Sequence, residues 1–246
     1  MQHNKKNIKQ IMKKGLGFLY YHAYKKYSIN LGNRCLIYHA FGSKLKHDTY
    51  GISISIANFK AHIDYLRDNY QFKRVHDIAD DKLYISISID DGYKCTIDAI
   101  DLLSKYNIPV SLFITVDTLG KDQYLTENDV NEISKLSNVT IGSHGFTHRK
   151  LSTMTYSEQN IELQKSKDFL SDVIGKEITG LSFPHGSFNR DTINILEKLK
   201  YEYAATSIKG INTPSTGRYY LCRNEIINTD LITDVDKKIK GYYEYY

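Results

Sequence analysis

Proline, cysteine and long apolar stretches are scarce in this 246-residue chain, with three of each of the first two. No run of about 18 apolar residues occurs, which argues against a membrane-spanning helix. Cys35, Cys95 and Cys222 are odd in number and far apart. They form neither a metal spacing nor a disulfide framework, so each reads as a small apolar residue in a reducing compartment. No G-x-G-x-x-G or G-x-x-x-x-G-K-[ST] signature follows a strand, which removes weight from nucleotide-binding α/β folds. Acidic residues are missing altogether from the first 47 positions, which hold ten Lys and Arg. The whole chain has 33 basic and 28 acidic residues, a net charge of +5, so the remainder is mildly acidic. No basic groove interleaved with aromatics and no nucleic-acid motif appears, so nucleic acid is not an expected partner.

With no internal repeat or low-complexity linker, the chain reads as a basic N-terminal helix (residues 1–30) and a single domain (residues 31–246). Residues 3–27 are amphipathic, with Ile8, Ile11, Met12, Gly15 and Leu19 close to one face and Phe18 and Ala23 widening it. Seven lysines supply the charge. Such a helix suits an anionic membrane surface; it equally suits packing on the body with a solvated lysine face. The apolar stretch Gly15 to Tyr21 is short and closely followed by lysines, and no A-x-A-like site is seen. The expectation is therefore a cytoplasmic protein, associated with the inner face of the membrane, with secretion as the alternative.

The body alternates strand and helix patterns. Strands are expected over Cys35–His39, Leu83–Ile89, Val110–Thr115, Val139–Ser143, Gly180–Phe183, Tyr203–Ser207 and Tyr219–Ile227. Helices are expected over Ala57–Tyr70, Cys95–Tyr106, Thr126–Leu136, Thr155–Ile174, Arg190–Leu199 and Asp230–Lys238. Seven βα-type units imply a parallel sheet and suit a barrel better than an open sheet.

Ser86-Ile87-Ser88-Ile89-Asp90-Asp91-Gly92-Tyr93 runs an alternating strand into two adjacent carboxylates. Two such groups repel, so a metal ion or a catalytic proton gives the pair a purpose. A solvated acidic turn is the plain alternative. His144-Gly145-Phe146-Thr147-His148 also follows a strand. If the chain turns helical there, both imidazoles share one face and hold one ion. With Asp91 they make a two-histidine, one-carboxylate set, the layout of a catalytic metal with open positions. Zinc is the default for these donors; cobalt, nickel or iron also fit. Asp90 is placed to take a proton, and His39 and His185 are available donors. His39, Asp90, Asp91, His144 and His185 stand at, or just after, the C-terminal ends of expected strands, and in a parallel barrel such ends converge on one face.

These residues resemble the polysaccharide deacetylases of the NodB-homology type, carbohydrate esterase family four, over roughly residues 34 to 227. Ser88 to Tyr93 is similar to the family's T-F-D-D-G motif, which implies Asp90 as general base and Asp91 as metal ligand. His144 to His148 resembles H-[ST]-x-x-H, implying both histidines on the metal, with Gly145 where a loop-stabilising hydroxyl is usual. Ser182-Phe183-Pro184-His185-Gly186 is similar to R-x-P-[YF]-G, which implies that Pro184 and His185 wall the groove. The resemblance implies a distorted (β/α)7 barrel and hydrolysis of the N-acetyl group of an amino sugar. Two departures stand out. Ser182 replaces the arginine that pairs with the catalytic aspartate, and Arg223 is the candidate replacement. No histidine follows His185, whereas the branch acting on poly-N-acetylglucosamine has a permuted order with its acid in an early Y-H segment. Tyr38-His39 resembles that segment, which makes His39 the expected general acid. The main-chain N–H of His185 or Tyr93 is the expected oxyanion donor. The alternatives are removal of a formyl group from a lipid-linked sugar and an inactive carbohydrate-binding barrel.

Overall fold

The structure, a computed structural model, describes residues 12–26, 30–45 and 48–245. Its strands are β1 (Gly32–Tyr38), β2 (Ala40–Phe41), β3 (Ser53–Ile54), β4 (Gln71–Phe72), β5 (Leu83–Ile89), β6 (Val110–Ile114), β7 (Val139–Ser143), β8 (Gly180–Ser182), β9 (Tyr203–Ala205) and β10 (Arg223–Glu225). The helices are α1 (residues 12–20), α2 (Ile56–Asn69), α3 (Thr96–Lys105), α4 (Glu127–Ser134), α5 (Tyr156–Ile174), α6 (Arg190–Lys198) and α7 (Ile232–Lys240).

The strands pair in parallel in the order β10-β1-β5-β6-β7-β8-β9, with β4 added beside β5. The ends of this path nearly meet. Ala205 forms a parallel bridge to Leu221, and the Thr206 N–H donates to the Leu221 carbonyl at 2.8 Å. The result is the expected seven-stranded barrel with its helices outside. Side-chain alternation along β5 separates two environments. Ile85, Ile87 and Ile89 join the main core with Leu66, Ile100 and Leu103 of the helices. Ser86 and Ser88 face the other way, into the barrel, beside Asn33, Cys35 and Arg223. Burial of Cys35 pushes its thiol up to about 12, as expected of an inert packed cysteine.

Strands β2, β3 and β4 escape sequence reading because two residues are too few to show a period. The last barrel strand is shorter than expected, since Leu221 turns aside to bridge β9. Helix α4 starts on a capping box: Thr126 and Asp129 each satisfy the other's main-chain N–H.

The described part of the N-terminal segment is helical over 12–20 and continues as a π-helical turn over Tyr21–Lys25; residues 3–11 and 27 of the expected helix lie outside the described residues. It docks on the C-terminal end of the chain, but not by the anticipated face. Gly17 is the buried residue, close against Tyr242 and Tyr243, and Tyr21 stacks on Tyr242 at 3.8 Å. Lys14 pairs with Asp234 at 2.9 Å. Met12, Phe18 and Leu19 of the expected apolar face are exposed. Absence of a side chain at Gly17 permits the close approach of Tyr242 and Tyr243. No described helix is long and apolar enough to cross a membrane.

Candidate active site

Register decides which side chains share the C-terminal mouth of the barrel. Tyr38 pairs with Ile89, so His39 and Asp90 leave adjacent strands side by side. The Asp90 N–H donates to the Tyr38 carbonyl at 3.0 Å, and the His144 N–H to the Ile114 carbonyl at 2.8 Å. These bonds carry the ladder one residue past each strand and fix where the functional side chains start.

Asp90 lies within the barrel mouth, held by two hydrogen bonds from Arg223. Nη1 reaches Oδ1 and Nη2 reaches Oδ2, each at 2.8 Å. The Ser182 hydroxyl donates to Oδ2 at 2.9 Å and accepts from Arg223 Nη2 at 2.6 Å. Arg223 is itself secured by the Thr206 carbonyl at 2.9 Å and Ser88 Oγ at 3.1 Å. Burial alone would raise the Asp90 pKa. The Arg223 charge, His144 and the paired hydrogen bonds outweigh it and hold the carboxyl below its usual range.

Asp91 adopts φ 76°, a left-handed conformation that aspartate tolerates, and this turns its carboxylate toward the histidines. Its Oδ1 lies 3.4 Å from His144 Nε2 and 3.3 Å from His148 Nε2, and the two nitrogens are 3.2 Å apart. Burial would raise the Asp91 pKa, but hydrogen bonds from both imidazoles bring it well below the usual value. His144 is shifted upward despite burial, because Asp90 and Asp91 favour its protonated form. Its Nδ1–H donates to the Ser182 carbonyl at 2.8 Å, which presents the Nε2 lone pair to the cluster.

These three atoms form the one group of metal-competent donors found among the described residues. The residues fit a cation. Donors about 2.0–2.1 Å from one ion at tetrahedral angles lie about 3.3–3.4 Å apart, and the three separations here are 3.2, 3.3 and 3.4 Å. Without a cation, three lone-pair-bearing atoms at that spacing need at least one shared proton, consistent with the direction of the His144 shift.

The histidine pair is not brought together by a helix. Residues 144–150 form a loop in which Gly145 has φ 77° and His148 φ 61°. Main-chain bonds from Val116 and Asp117 to the carbonyls of Gly145 and Phe146 pin it to the end of β6. The hydroxyl missing at position 145 is supplied from elsewhere. Ser143 Oγ accepts from the Gly145 N–H at 3.1 Å, and Glu162 of α5 accepts from the Thr147 N–H at 2.5 Å.

The site opens into a cleft of about 760 Å³, with His39, Tyr93, Tyr124 and His185 among its walls. His39 is half-buried there, and its Nδ1 has no hydrogen-bond partner among the described residues. Tyr93 is buried and stacks on Tyr124 at 4.8 Å. The His185 ring donates from Nε2 to the His148 carbonyl at 3.2 Å, at a residue with φ 56°. Pro184 is buried behind the cleft against Gly145 and does not line it; Phe183 and His185 do. Glu162 is the functional neighbour that sequence reading missed. Its signal was a carboxylate on the buried stripe of α5, between Gln159 and Ser166.

The sequence model of the family described as polysaccharide deacetylase matches residues 77–204. The Bacillus subtilis protein YxkH, named for the same family, is 28% identical over 200 residues, which cover 76% of this chain and 69% of that protein. A poly-beta-1,6-N-acetyl-D-glucosamine N-deacetylase of Staphylococcus aureus is 24% identical over 160 residues, 60% of this chain and 55% of that enzyme. This chain therefore spans only part of the length of either relative. Among solved structures, the Streptococcus pyogenes deacetylase PplD superposes with a TM-score of 0.75 at 20% identity, covering 85% of this chain and 98% of that one. That likeness carries the fold. With a match over more than half of its length, this chain belongs to the polysaccharide deacetylase family of carbohydrate-acting hydrolases.

Proposed function

We propose that the protein is a metal-dependent N-deacetylase acting on an amino sugar of a surface glycan, or of its lipid- or nucleotide-linked precursor. The observation that carries this reading is the triangle of Asp91, His144 and His148 donor atoms, 3.2–3.4 Å on a side, next to a tethered second carboxylate at the floor of an open cleft. A divalent cation held by Asp91, His144 and His148, with zinc the first choice, supplies Lewis acidity toward the acyl oxygen and acidifies water. Asp90 is the base. Its Oδ2 accepts two hydrogen bonds and its Oδ1 one, so Oδ1 keeps a lone pair for the proton of the attacking water. Arg223 and Ser182 orient that carboxylate and keep it ionised. His39 donates a proton to the departing amine, giving acetate and a free amino sugar. The main-chain N–H of His185 or Tyr93 meets the oxygen on which negative charge develops.

The basic N-terminal segment holds this enzyme to the cytoplasmic face of an anionic membrane. Met12, Leu16, Phe18 and Leu19 are exposed on a segment rich in lysine, a combination that suits a lipid interface. The purified protein is expected to release acetate from an N-acetylglucosamine oligomer or lipid-linked N-acetyl sugar, to lose that activity with a chelator, and to regain it with zinc. It should sediment with phosphatidylglycerol vesicles and not with phosphatidylcholine ones. Formate from a formamido sugar, with no acetate from any N-acetyl substrate, would replace the acetyl reading by the formyl one. Full activity in chelator would overturn metal dependence.

A further inference from the structure

Nothing in the reaction just described uses the carboxylate of Glu162, yet it is buried at 5% exposure in the middle of α5. No cation pairs with it among the described residues. A buried carboxylate without a countercharge is costly unless strong donors replace its water. Among the described residues, all the donors it has come from a single residue of the histidine loop. The Thr147 N–H reaches Oε1 at 2.5 Å, and the Thr147 hydroxyl lies 3.0 Å from both oxygens. Hydrogen bonds to an ionised acceptor are the strong kind.

We infer that Glu162 is a positioning residue for the metal site: through Thr147 it fixes the loop that carries His144 and His148. The inference rests on the functional reading above. Thr147 immediately precedes His148, whose φ of 61° commits the chain to an unusual turn. Holding the main chain at 147 therefore sets where the His148 ring begins. A shift of an ångström there would break a donor triangle whose sides differ by only a few tenths of an ångström. The same carboxylate explains Gly145. A Cβ at that position would stand 3.3 Å from Glu162 Oε1 and 3.2 Å from the Pro184 ring, at a φ that disfavours any side chain. A side chain at position 145 would therefore crowd the Glu162 head group. One helical turn further on, Ser166 hydrogen-bonds Ser143 Oγ at 2.7 Å, and Ser143 Oγ in turn accepts from the Gly145 N–H. Two residues four apart on one face of a 19-residue helix thus brace both halves of the loop.

The test is cation affinity, measured on the full chain by zinc competition against a chromophoric chelator, with the cobalt-substituted visible spectrum as a second readout. Glu162→Ala is expected to weaken zinc binding about 10–100-fold, the usual cost of losing a partner that orients a ligand, and to alter the cobalt spectrum. Glu162→Gln keeps the volume and an acceptor for the Thr147 N–H, so it should restore most of that loss. Should the alanine variant fold poorly, Glu162→Leu, which keeps the volume and removes every acceptor for Thr147, is measured in its place and is expected to show the same weakening. Wild-type affinity and an unchanged cobalt spectrum in Glu162→Ala or Glu162→Leu would overturn the role of Glu162 alone. A wild-type protein that takes up no cation would overturn the functional reading and this inference with it.

Discussion

Exchanging Arg223 for methionine is expected to cost the protein about 3–5 kcal/mol of stability, because it leaves the Asp90 carboxylate buried and without its countercharge. Both groups are almost fully enclosed, and the guanidinium meets both carboxylate oxygens at 2.8 Å. The sign of the pH dependence follows from the same contact. In the wild type the Asp90 pKa is lowered relative to the unfolded chain, so its contribution to stability is present above the unfolded value of about 3.9 and fades as pH falls through the folded value. In the methionine variant burial is left as the leading influence, and it acts upward. The folded pKa then exceeds the unfolded one, and the variant loses most stability near neutrality and least in acid. If Asp90 is the base, the acid limb of the pH–rate profile moves up with its pKa, and kcat at neutral pH falls by about 10²-fold or more. Lysine in place of Arg223 should recover only part of either loss, since one ammonium cannot meet both oxygens in a planar fork. Thermal unfolding at several pH values and a pH–rate profile check both halves. A variant with the wild-type melting temperature and acid limb would remove Arg223 from the tether role.

How far the sequence reached can be judged residue by residue. The barrel was legible because each βα unit repeats the same contrast of a short apolar run and a longer amphipathic one. The site was legible where its chemistry is contiguous. Asp90-Asp91 and the His144–His148 pair each lie within one short motif, and strand ends bring them to a common face whatever the exact register. Their local geometry was not legible. The histidines looked like an i, i+4 helical pair, but positive φ at Gly145 and His148 makes a loop instead, a choice set by tertiary contacts to β6 and α5. Arg223 emerged because the resembled motif lacks its arginine at Ser182, because an inward position on the last expected strand suits it and because no other candidate is present. Glu162 was missed because a glutamate in a helix rich in Glu, Gln and Lys reads as solvated. Its position on the apolar stripe with Leu163 and Leu170 was the available clue. In the described part of the N-terminal segment the contact with the body is made by Gly17 and tyrosines, a feature the aliphatic stripe did not announce.

Asp91→Asn separates the role of charge at the metal site from that of shape. Asparagine is nearly isosteric and also tolerates a left-handed φ, so the turn after β5 should survive, although the metal-free protein should melt lower near neutrality because the charge that favours protonated His144 is gone. What disappears is the anionic donor. In the wild type Asp91 Oδ1 is the corner shared by both imidazoles, and its negative charge would favour a divalent cation there as it favours the proton on His144. A neutral amide oxygen leaves two imidazoles facing each other at 3.2 Å with no charge to offset a cation. Zinc bound per chain, measured after dialysis against trace metal, is therefore expected to fall from near one to a small fraction. Acetate release should drop by about 10³-fold or more, the scale on which loss of a decisive electrostatic partner acts. Excess zinc should restore little, because the remaining site has lost the donor that sets both affinity and orientation. Asp90→Asn provides the contrast. It should abolish turnover to a similar degree while leaving zinc bound, since Asp90 is no part of the donor triangle. Retention of stoichiometric zinc by Asp91→Asn, or its loss from Asp90→Asn alone, would show that the two carboxylates have been assigned the wrong way round.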